Sequence, residues 1–144
     1  MSDQNSLPKR VVDTMMSKDY FSQWLGIEVV LAAPGQSILK MTIKREMLNG
    51  FGIAHGGISF SLADSALAFA SNSYGQKSVS IETSISHTKS LLEGDEILAT
   101  ATELSRSNKI AVYSIAITNQ QNETVALFKG TVYRTSKPWF TEEA

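Results

Sequence analysis

The sequence predicts an α+β fold in which one long helix lies against an antiparallel sheet of about six strands. An almost uniformly apolar run extends from about Gly57 to Ser73, as expected of a helix that is surrounded on most sides. From Val79 to His87, apolar and polar residues largely alternate with the period of a strand. The later strands lack the crossover helices that a parallel sheet requires, so the sheet is antiparallel and curls around the helix.

Two short helices are predicted before the sheet. Apolar residues recur at helical spacing from Pro8 to about Met16. Asp19 is expected to cap a second helix that ends at Gly26. The aromatic residues of this second helix are expected to cover one end of the core.

The strands are placed by their turn signals. A hairpin is predicted around Pro34-Gly35, because Pro followed by Gly is typical of a type II turn. A loop covers residues 44–52, and the long helix then stops near Gly75. The predicted strands are Ile27–Ala32, Ser37–Ile43, a strand that ends near His87, Glu96–Leu104, Ile110–Asn119 and Thr124–Thr135.

Size and charge limit the classes of function. The 144 residues are predicted to form one domain, residues 1–144, with an N-terminal helical segment (1–24) and a tail (137–144) that is loose unless Trp139 and Phe140 anchor it. The 13 basic and 14 acidic residues nearly balance, so neither nucleic acid nor a membrane surface is an expected partner. A small molecule is the expected partner.

The residue types that are scarce narrow the chemistry further. The chain has no cysteine and two histidines, which argues against disulfides, thiolate chemistry and a histidine metal cluster. Neither a metal nor a separate cofactor is expected. The N-terminus lacks the pattern of a secretory signal, and no apolar run approaches the roughly 20 residues that span a bilayer. A cytoplasmic location is expected.

The start of the long helix is the first candidate for a functional site. A glycine-rich turn leads directly into it, and no Ser, Thr or Asp stands at the N-cap position. The N–H groups of Gly56 and Gly57 are therefore predicted to be free to meet a ligand oxygen.

Asp64 is the second candidate, because it lies within this helix among apolar neighbours. An ionised carboxylate in such surroundings is costly unless it has a hydrogen-bonding partner or a functional role. From these neighbours alone, a structural role is equally open, in which the hydroxyl of Ser61, Ser65 or Ser71 donates a hydrogen bond to the carboxylate. The uncapped turn upstream favours catalysis.

Helix geometry separates the two candidates. Gly56 and Asp64 are eight positions apart, or about 12 Å along one helix axis at 1.5 Å per residue. One substrate carbonyl cannot meet both groups, so they must come from different chains. Two antiparallel helices side by side would pair them in a two-fold dimer with two equivalent sites. The alternative is that only one of the two groups is functional.

Several motifs resemble those of hotdog-fold acyl-CoA thioesterases, and within them the phenylacetic acid degradation (PaaI-like) group. The likeness covers about Leu25 to Arg134. It implies a helix wrapped by an antiparallel sheet, a homodimer that pairs into a dimer of dimers, and hydrolysis of acyl-CoA, with CoA as part of the substrate. The matching stretches are Asn49-Gly50, His55-Gly56-Gly57, Phe60-Ser61-Leu62-Ala63-Asp64, Ser71-Asn72-Ser73, Asn119-Gln120-Gln121 and the segment from Thr124 to Gly130.

The resemblance also implies roles for individual residues. Asp64 matches the nucleophile or general base, and Gly56 matches the backbone N–H that polarises the thioester carbonyl. His55 and Asn49 match residues that orient the turn or the thioester, and Ser80 lies where relatives often carry a hydroxyl that holds the attacking water. On local grounds alone, Asn49 is simply a turn residue and His55 a turn histidine that bonds a backbone carbonyl.

Other candidates concern the binding of substrate. Gly57 and Phe60 could contact the substrate, although such a phenylalanine is more often part of a core than of a pocket. Arg106, Asn108 and Lys109 could contact CoA phosphates, although a solvated hairpin tip is the more common interpretation of such a cluster. The chain departs from the family where relatives have an Arg-Pro-Gly-like turn, since residues 89–95 read Lys-Ser-Leu-Leu-Glu-Gly-Asp.

Three competing functions are considered. A serine hydrolase is disfavoured because no Gly-x-Ser-x-Gly motif is present and neither His55 nor His87 is spaced to lie beside a candidate serine. A hotdog hydratase or dehydratase typically pairs its Asp with a histidine shortly downstream, and none follows Asp64 before His87. A non-catalytic hotdog domain that binds acyl-CoA is the remaining alternative.

Overall fold

The computed structural model describes residues 5–141, and two short helices open this range. The first, α1, spans Leu7–Met16, and the second, α2, spans Tyr20–Leu25. The carboxylate of Asp19 accepts a hydrogen bond from the Ser22 N–H at 3.0 Å, and α2 ends at Gly26 with φ +76°. Both predicted ends of α2 are confirmed, because an acidic cap and a left-handed glycine satisfy the free groups of a helix.

Six strands and one long helix, α3 (Gly56–Asn72), make up most of the remaining described chain. All strand pairings are antiparallel and join the strands in the order β1-β2-β4-β5-β6-β3. The predicted antiparallel sheet of about six strands is therefore confirmed. The strands are β1 (Glu28–Ala33), β2 (Gln36–Thr42), β3 (Gln76–His87), β4 (Glu96–Arg106), β5 (Ile110–Thr118) and β6 (Thr124–Pro138).

The first hairpin is fixed to the end of α3. Gly35 adopts φ +68° in the turn between β1 and β2, as the third residue of a type II turn requires. Its N–H donates to the Ser73 hydroxyl at 2.8 Å. The hairpin and the helix end are thus held together by a bond between segments 38 residues apart.

Helix α3 lies in the core and contacts all six strands. Leu62, Ala63, Ala66, Phe69 and Ala70 are fully buried along it. The prediction that this helix is surrounded on most sides is confirmed, since burial of an all-round apolar helix is what removes its surface from water.

The C-terminal segment is anchored up to the end of the described range. The Trp139 indole N–H donates to the Asn72 side-chain oxygen at 2.8 Å, and the Trp139 backbone N–H donates to the Gly75 carbonyl at 2.8 Å. The Arg10 guanidinium lies 4.4 Å from the centre of the Phe140 ring. The alternative in which Trp139 and Phe140 anchor the tail is the one observed, while residues 142–144 lie outside the described range.

Strand β3 forms one edge of the sheet and pairs only with β6. Two apolar side chains on this strand are exposed, those of Val79 at 56% and Ile81 at 58%.

Within residues 5–141, no helix has the length and apolarity that crossing a membrane requires.

Close packing between β6 and α3 depends on Gly130. A Cβ atom at this position would lie 2.5 Å from Leu67 Cδ2 and 3.2 Å from Leu67 Cγ. Leu67 is itself buried, so its side chain has little room to move.

We expect the substitution Gly130→Ala to lower the free energy of unfolding by about 1–3 kcal/mol, because it overpacks the core. Gly50→Ala is the matched control: a Cβ there meets nothing within 4 Å, so we expect a change within about 0.5 kcal/mol. Chemical denaturation of both variants measures the difference. Equal stabilities for the two variants would contradict this account of the packing.

Candidate functional site

The start of α3 is capped, and this corrects the prediction that the amides of both Gly56 and Gly57 are free. His55 occupies the N-cap position with extended backbone angles. Its Nδ1 atom accepts a hydrogen bond from the Gly57 N–H at 3.0 Å. The prediction that the His55 ring bonds a backbone carbonyl is therefore wrong, because the ring accepts from a backbone N–H. Histidine is not among the usual cap residues, so the sequence did not indicate this bond.

The N–H of Gly56 is left without a partner among the described residues. The carbonyl of the same peptide group, that of His55, accepts from the Ile58 N–H at 2.9 Å. The carbonyl of this peptide group therefore has a hydrogen-bond partner within the described residues, whereas the N–H does not. An amide at a helix start is well suited to an anionic or polarised oxygen because the helix dipole favours negative charge there.

His87 completes the helix start and was missed by sequence reasoning. Its Nε2 atom lies 2.9 Å from the Ser59 hydroxyl and 3.3 Å from the Gly56 carbonyl oxygen. The spacing of the sequence placed neither histidine beside a serine, and the structure adds this contact. The two residues are 28 positions apart and belong to a strand and a helix, so no local spacing could indicate the contact.

The direction of these contacts depends on which ring nitrogen of His87 carries the proton. The Ser59 hydroxyl donates to the Gly56 carbonyl at 3.2 Å. With the proton on Nε2, His87 donates to the same carbonyl oxygen and cannot take the serine proton.

Asn49 shapes the loop that precedes the helix. Its side-chain oxygen accepts from the Phe51 N–H at 2.9 Å and from the Ile53 N–H at 3.4 Å. The interpretation of Asn49 as a turn residue is confirmed. The same residue also lies on the wall of a cavity beside the helix start, where a side chain can serve both the loop and a ligand.

Two cavities flank the helix start. The first, of about 370 Å³, has a mixed wall in which the polar residues Asn49, Ser59, His87 and Lys89 lie beside apolar side chains, with Gly56 between them. The second, of about 320 Å³, lies on the other side at Gly57 and is mainly apolar, with walls that include Phe21, Trp24, Leu25, Met47 and Ile58. A molecule with a polar arm and an apolar arm could thus bind across the Gly56 amide.

Asp64 is partly buried rather than enclosed, and it forms no hydrogen bond or ion pair with any described residue. Burial raises the pKa of its carboxyl group, and the nearby negative charge of Asp19 raises it further. An unpaired carboxyl group with a raised pKa is a recognised sign of a functional site.

The structural alternative for Asp64 is not observed. Ser61 donates to the Gly57 carbonyl at 2.6 Å, and Ser71 donates to the Ala68 carbonyl at 3.3 Å. Ser65 lies 2.8 Å from the Ser22 hydroxyl, which in turn donates to Asp19. All three serines have partners other than Asp64.

The carboxylate and the free amide cannot serve one carbonyl within one chain. Gly56 and Asp64 belong to the same uninterrupted helix, so they are about 12 Å apart along its axis. Asp64 lies on the wall of neither cavity that flanks the helix start.

Asp64 belongs to the one side of α3 that is not fully covered. The incompletely buried positions Gly57, Phe60, Ser61, Asp64 and Ala68 follow one another at spacings of one to four residues, which places them along one face of the helix. We call this set the open stripe. Within its own chain the stripe is only partly covered: Phe60 contacts Phe128 of β6, whereas Asp64 forms no hydrogen bond or ion pair, so another surface can lie against it.

The other candidate residues are placed as follows. Phe60 packs edge-on against Phe128, with 5.3 Å between ring centres, as its core interpretation requires. Ser80 is exposed on the edge strand β3 and forms no hydrogen bond with Asp64. The structure of one chain does not bring Ser80 and Asp64 together by any described contact.

The basic cluster lies at the opposite end of the helix from Gly56. The Arg106 guanidinium is 3.9 Å from the centre of the Tyr74 ring and pairs with Glu103 at 3.4 Å. Asn108 and Lys109 are exposed in the turn between β4 and β5. Within one chain this turn has the features of an ordinary hairpin tip.

A metal site is not apparent in the part of the chain that the structure describes, since no three His, Cys, Asp or Glu side chains there are grouped to hold an ion.

The loop of residues 89–95, where the sequence departs from the family turn, has contacts of its own. Lys89 forms an ion pair with Glu123, and the Leu91 carbonyl accepts from the Ala54 N–H at 2.8 Å. The loop is thereby tied to the segment that leads into α3.

Comparisons with known proteins identify the family of the chain. The family model of the thioesterase superfamily matches residues 51–126. A putative esterase of Archaeoglobus fulgidus is 39% identical over 93% of this chain and 87% of its own. The acyl-coenzyme A thioesterase PaaI of Escherichia coli is 39% identical over 83% of this chain and 86% of its own.

Solved structures give the same result. The E. coli PaaI protein from the phenylacetic acid degradation operon superposes with a TM-score of 0.90 at 36% identity, covering 92% of this chain and 96% of that one. The protein smu.793 of Streptococcus mutans, solved bound to acetyl CoA, has a TM-score of 0.75 at 29% identity, covering 78% and 90%. The family resemblance and the hotdog fold that it implies are confirmed.

The electrostatic environment of Asp64 can be tested directly. Asp19→Asn keeps a good cap residue for α2 but removes a negative charge, so we expect the pKa of the Asp64 carboxyl group to fall. It should stay above that of an ordinary aspartate, because burial is the larger cause. Carbon-13 NMR titration of the carboxyl groups measures this change.

Asp13→Asn is the control for Asp19→Asn, since Asp13 is exposed on α1 and paired with Lys9. It should leave the Asp64 titration unchanged. An Asp64 pKa that does not respond to Asp19→Asn would show that the two carboxylates are not coupled.

Proposed function

The chain belongs to the thioesterase superfamily, a family of thioester hydrolases, and from this premise we propose that it is an acyl-CoA thioesterase that releases a free acid and CoA. One observation carries the proposal: an unpaired carboxylate, Asp64, lies on the same helix whose first amide, that of Gly56, has no partner among the described residues. Thioester hydrolysis needs a base or nucleophile and a donor to the carbonyl oxygen.

In the proposed reaction the Gly56 N–H donates to the thioester carbonyl oxygen and stabilises the negative charge that develops there. Asp64 either attacks the carbonyl carbon, forming an anhydride that water opens, or removes a proton from an attacking water. Ser80 is proposed to help hold that water. In both routes the carbon–sulfur bond breaks and CoA leaves as the thiolate, which then takes up a proton.

We propose that each site is shared between two chains of a homodimer. The 12 Å that separate Gly56 from Asp64 along the helix support this arrangement, because one carbonyl cannot span them. Antiparallel packing of two α3 helices through their open stripes would bring Asp64 of one chain to Gly56 of its partner. The interface would be the same patch on both chains and would create two equal sites.

The edge strand β3 supports the same dimer. It is 12 residues long and pairs with β6 on one side only, so its outer backbone N–H and C=O groups can pair with a further strand. Its Val79 and Ile81 side chains are also exposed. Pairing of β3 with its copy would continue the sheet across the dimer. We extend the proposal to a dimer of such dimers, which is the assembly that the family resemblance implies.

We propose an aryl acyl group, of the phenylacetyl type. The apolar cavity at Gly57 supports this choice, because its wall includes the exposed aromatic pair Phe21 and Trp24, whose ring centres are 6.1 Å apart. Aromatic rings prefer tilted or edge-on neighbours of their own kind. Phe60 is proposed as a further contact of the acyl group.

Arg106, Asn108 and Lys109 are proposed to contact the CoA phosphates. In an antiparallel pair of helices, the end of one α3 lies toward the start of the other. The hairpin tip beside Tyr74 would then be carried toward the partner's Gly56. A cationic tip in that position would suit the phosphates of a bound nucleotide.

We expect Asp64→Asn to keep the fold and the oligomeric state while turnover falls by about 10²–10⁴-fold, the usual contribution of a general base. Release of free thiol from aryl and straight-chain acyl-CoAs measures turnover, with Asp13→Asn as the control. Wild-type turnover should fall as the pH drops through the raised pKa of Asp64, because only the ionised form can act.

Unchanged hydrolysis by Asp64→Asn would exclude the proposed role of Asp64. A wild-type protein that binds acyl-CoA but releases no thiol from any member of the panel would instead be a binding domain. Single turnover in ¹⁸O-labelled water tests for attack by Asp64, since label in its carboxyl group shows that an anhydride formed and that water opened it at the Asp64 carbon.

Sharing of the site between chains is tested by mixing two inactive variants. Gly56→Pro removes the proposed N–H donor at a helix position that tolerates proline, and Gly56→Ala is its control because it keeps the N–H. A heterodimer of Gly56→Pro with Asp64→Asn has one site with both defects and one site with neither. We expect it to recover about half of the wild-type turnover per dimer.

Co-expression with two different affinity tags isolates this heterodimer, and thiol release measures its activity. If each site were built within one chain, both sites of the heterodimer would carry a defect. No recovery of activity would therefore contradict the shared site while leaving thioester hydrolysis itself intact.

A further inference from the structure

We infer that His87 is a positioning residue that acts with His55 to clamp one peptide group of the helix start and so aims the Gly56 N–H. The inference rests on the proposed function of that amide as the donor to the substrate carbonyl. The peptide group in question joins Gly56 to Gly57.

The carbonyl end of this peptide group is held by two side chains. His87 Nε2 lies 3.3 Å from the Gly56 oxygen, and the Ser59 hydroxyl donates to the same oxygen at 3.2 Å. The 2.9 Å contact between His87 and Ser59 joins these two donors to each other. Strand β3, which ends at His87, is thereby fixed to the first turn of α3.

The amide end of the same peptide group is held by the other histidine. The Gly57 N–H donates to His55 Nδ1 at 3.0 Å. The preceding peptide group is held at its carbonyl by the Ile58 N–H at 2.9 Å. Of the four polar groups on these two peptides, only the Gly56 N–H lacks a partner among the described residues, and its direction is set by the other three.

A clamp is needed here because the backbone is intrinsically loose. Two consecutive glycines have more freedom in φ and ψ than any other residues, and that freedom must be removed for a donor to keep one direction. The Gly56 N–H is useful only if it is already aimed before the reaction, since preorganised donors need no rearrangement in the transition state.

The histidine ring is also the reason that position 56 accepts only glycine without adjustment. A Cβ atom on residue 56 would lie 3.1 Å from His87 Cε1. The close approach of ring and backbone therefore belongs to the same arrangement as the hydrogen bonds. His87 lines the cavity of mixed polarity together with Gly56, so the clamp forms part of the wall that a substrate would face.

Two substitutions separate hydrogen bonding from packing. His87→Gln keeps an N–H donor at a reach similar to that of Nε2, whereas His87→Phe keeps a ring of similar volume and removes the donor. We expect His87→Phe to lower kcat by about 10- to 100-fold with little change in KM, as for a misaimed catalytic group. His87→Gln should retain most of the turnover.

Amide NMR provides a readout that does not depend on activity. In His87→Phe we expect faster hydrogen exchange at the Gly57 amide, which is hydrogen-bonded to His55, while amides at the far end of α3, such as that of Ala70, keep their protection. Long-range ¹H–¹⁵N spectra of the wild-type ring should show the proton on Nε2. Thermal unfolding of both variants controls for loss of the fold.

The outcomes separate this inference from the proposed function. Normal kcat in His87→Phe, or equal losses in His87→Phe and His87→Gln, would overturn the positioning role. Unchanged exchange at the Gly57 amide in His87→Phe would do the same. A wild-type protein that hydrolyses no acyl-CoA would refute the proposed function, and the exchange data would still decide whether His87 clamps the helix start.

Discussion

Burial of α3 against the sheet is the constraint on which the rest of the structure depends. The helix contacts all six strands, and small residues permit the close approach, as Gly130 does opposite Leu67. Burial of apolar surface on this scale is the main force that stabilises a small fold. It also covers the helix on every side except the open stripe, so the stripe is where the helix can meet anything outside its own chain.

The same burial makes α3 a rigid spacer between two functional groups. A helix has a fixed rise, and a helix held by a sheet cannot bend to bring its own residues together. The carboxylate of Asp64 and the free amide of Gly56 are therefore held apart within a chain, and in the proposed dimer they would meet between chains. The proposed dimer follows from the rigidity of α3 as much as from any contact at the interface. The exposed Val79 and Ile81 side chains of the edge strand β3 also support the proposed dimer.

The helix start shows how a flexible backbone is made specific. Glycine at position 56 allows the ring of His87 to approach, and the hydrogen bonds of His55 and His87 then restrict the freedom that glycine brings. One amide, that of Gly56, remains without a partner among the described residues. It lies on the wall of a cavity of mixed polarity, and a mainly apolar cavity begins at the next residue, Gly57. This division matches a thioester, in which a polar carrier and an apolar acyl group meet at one carbonyl.

The sequence alone determined the elements and the two principal site residues. Helix periods, strand alternation, Asp19 as a cap and the turn glycines at positions 26 and 35 are local properties, so the chain reveals them without its fold. Asp64 could be singled out because the apolar residues next to it in the sequence also surround it on the helix. The tertiary structure decided what depends on segments far apart in the chain: the strand order with β3 at the edge, the partners of the three serines, the anchoring of Trp139 and the contact of His87 with Ser59. Such contacts are set by how a strand and a helix pack across the core, and no spacing along the chain encodes that distance.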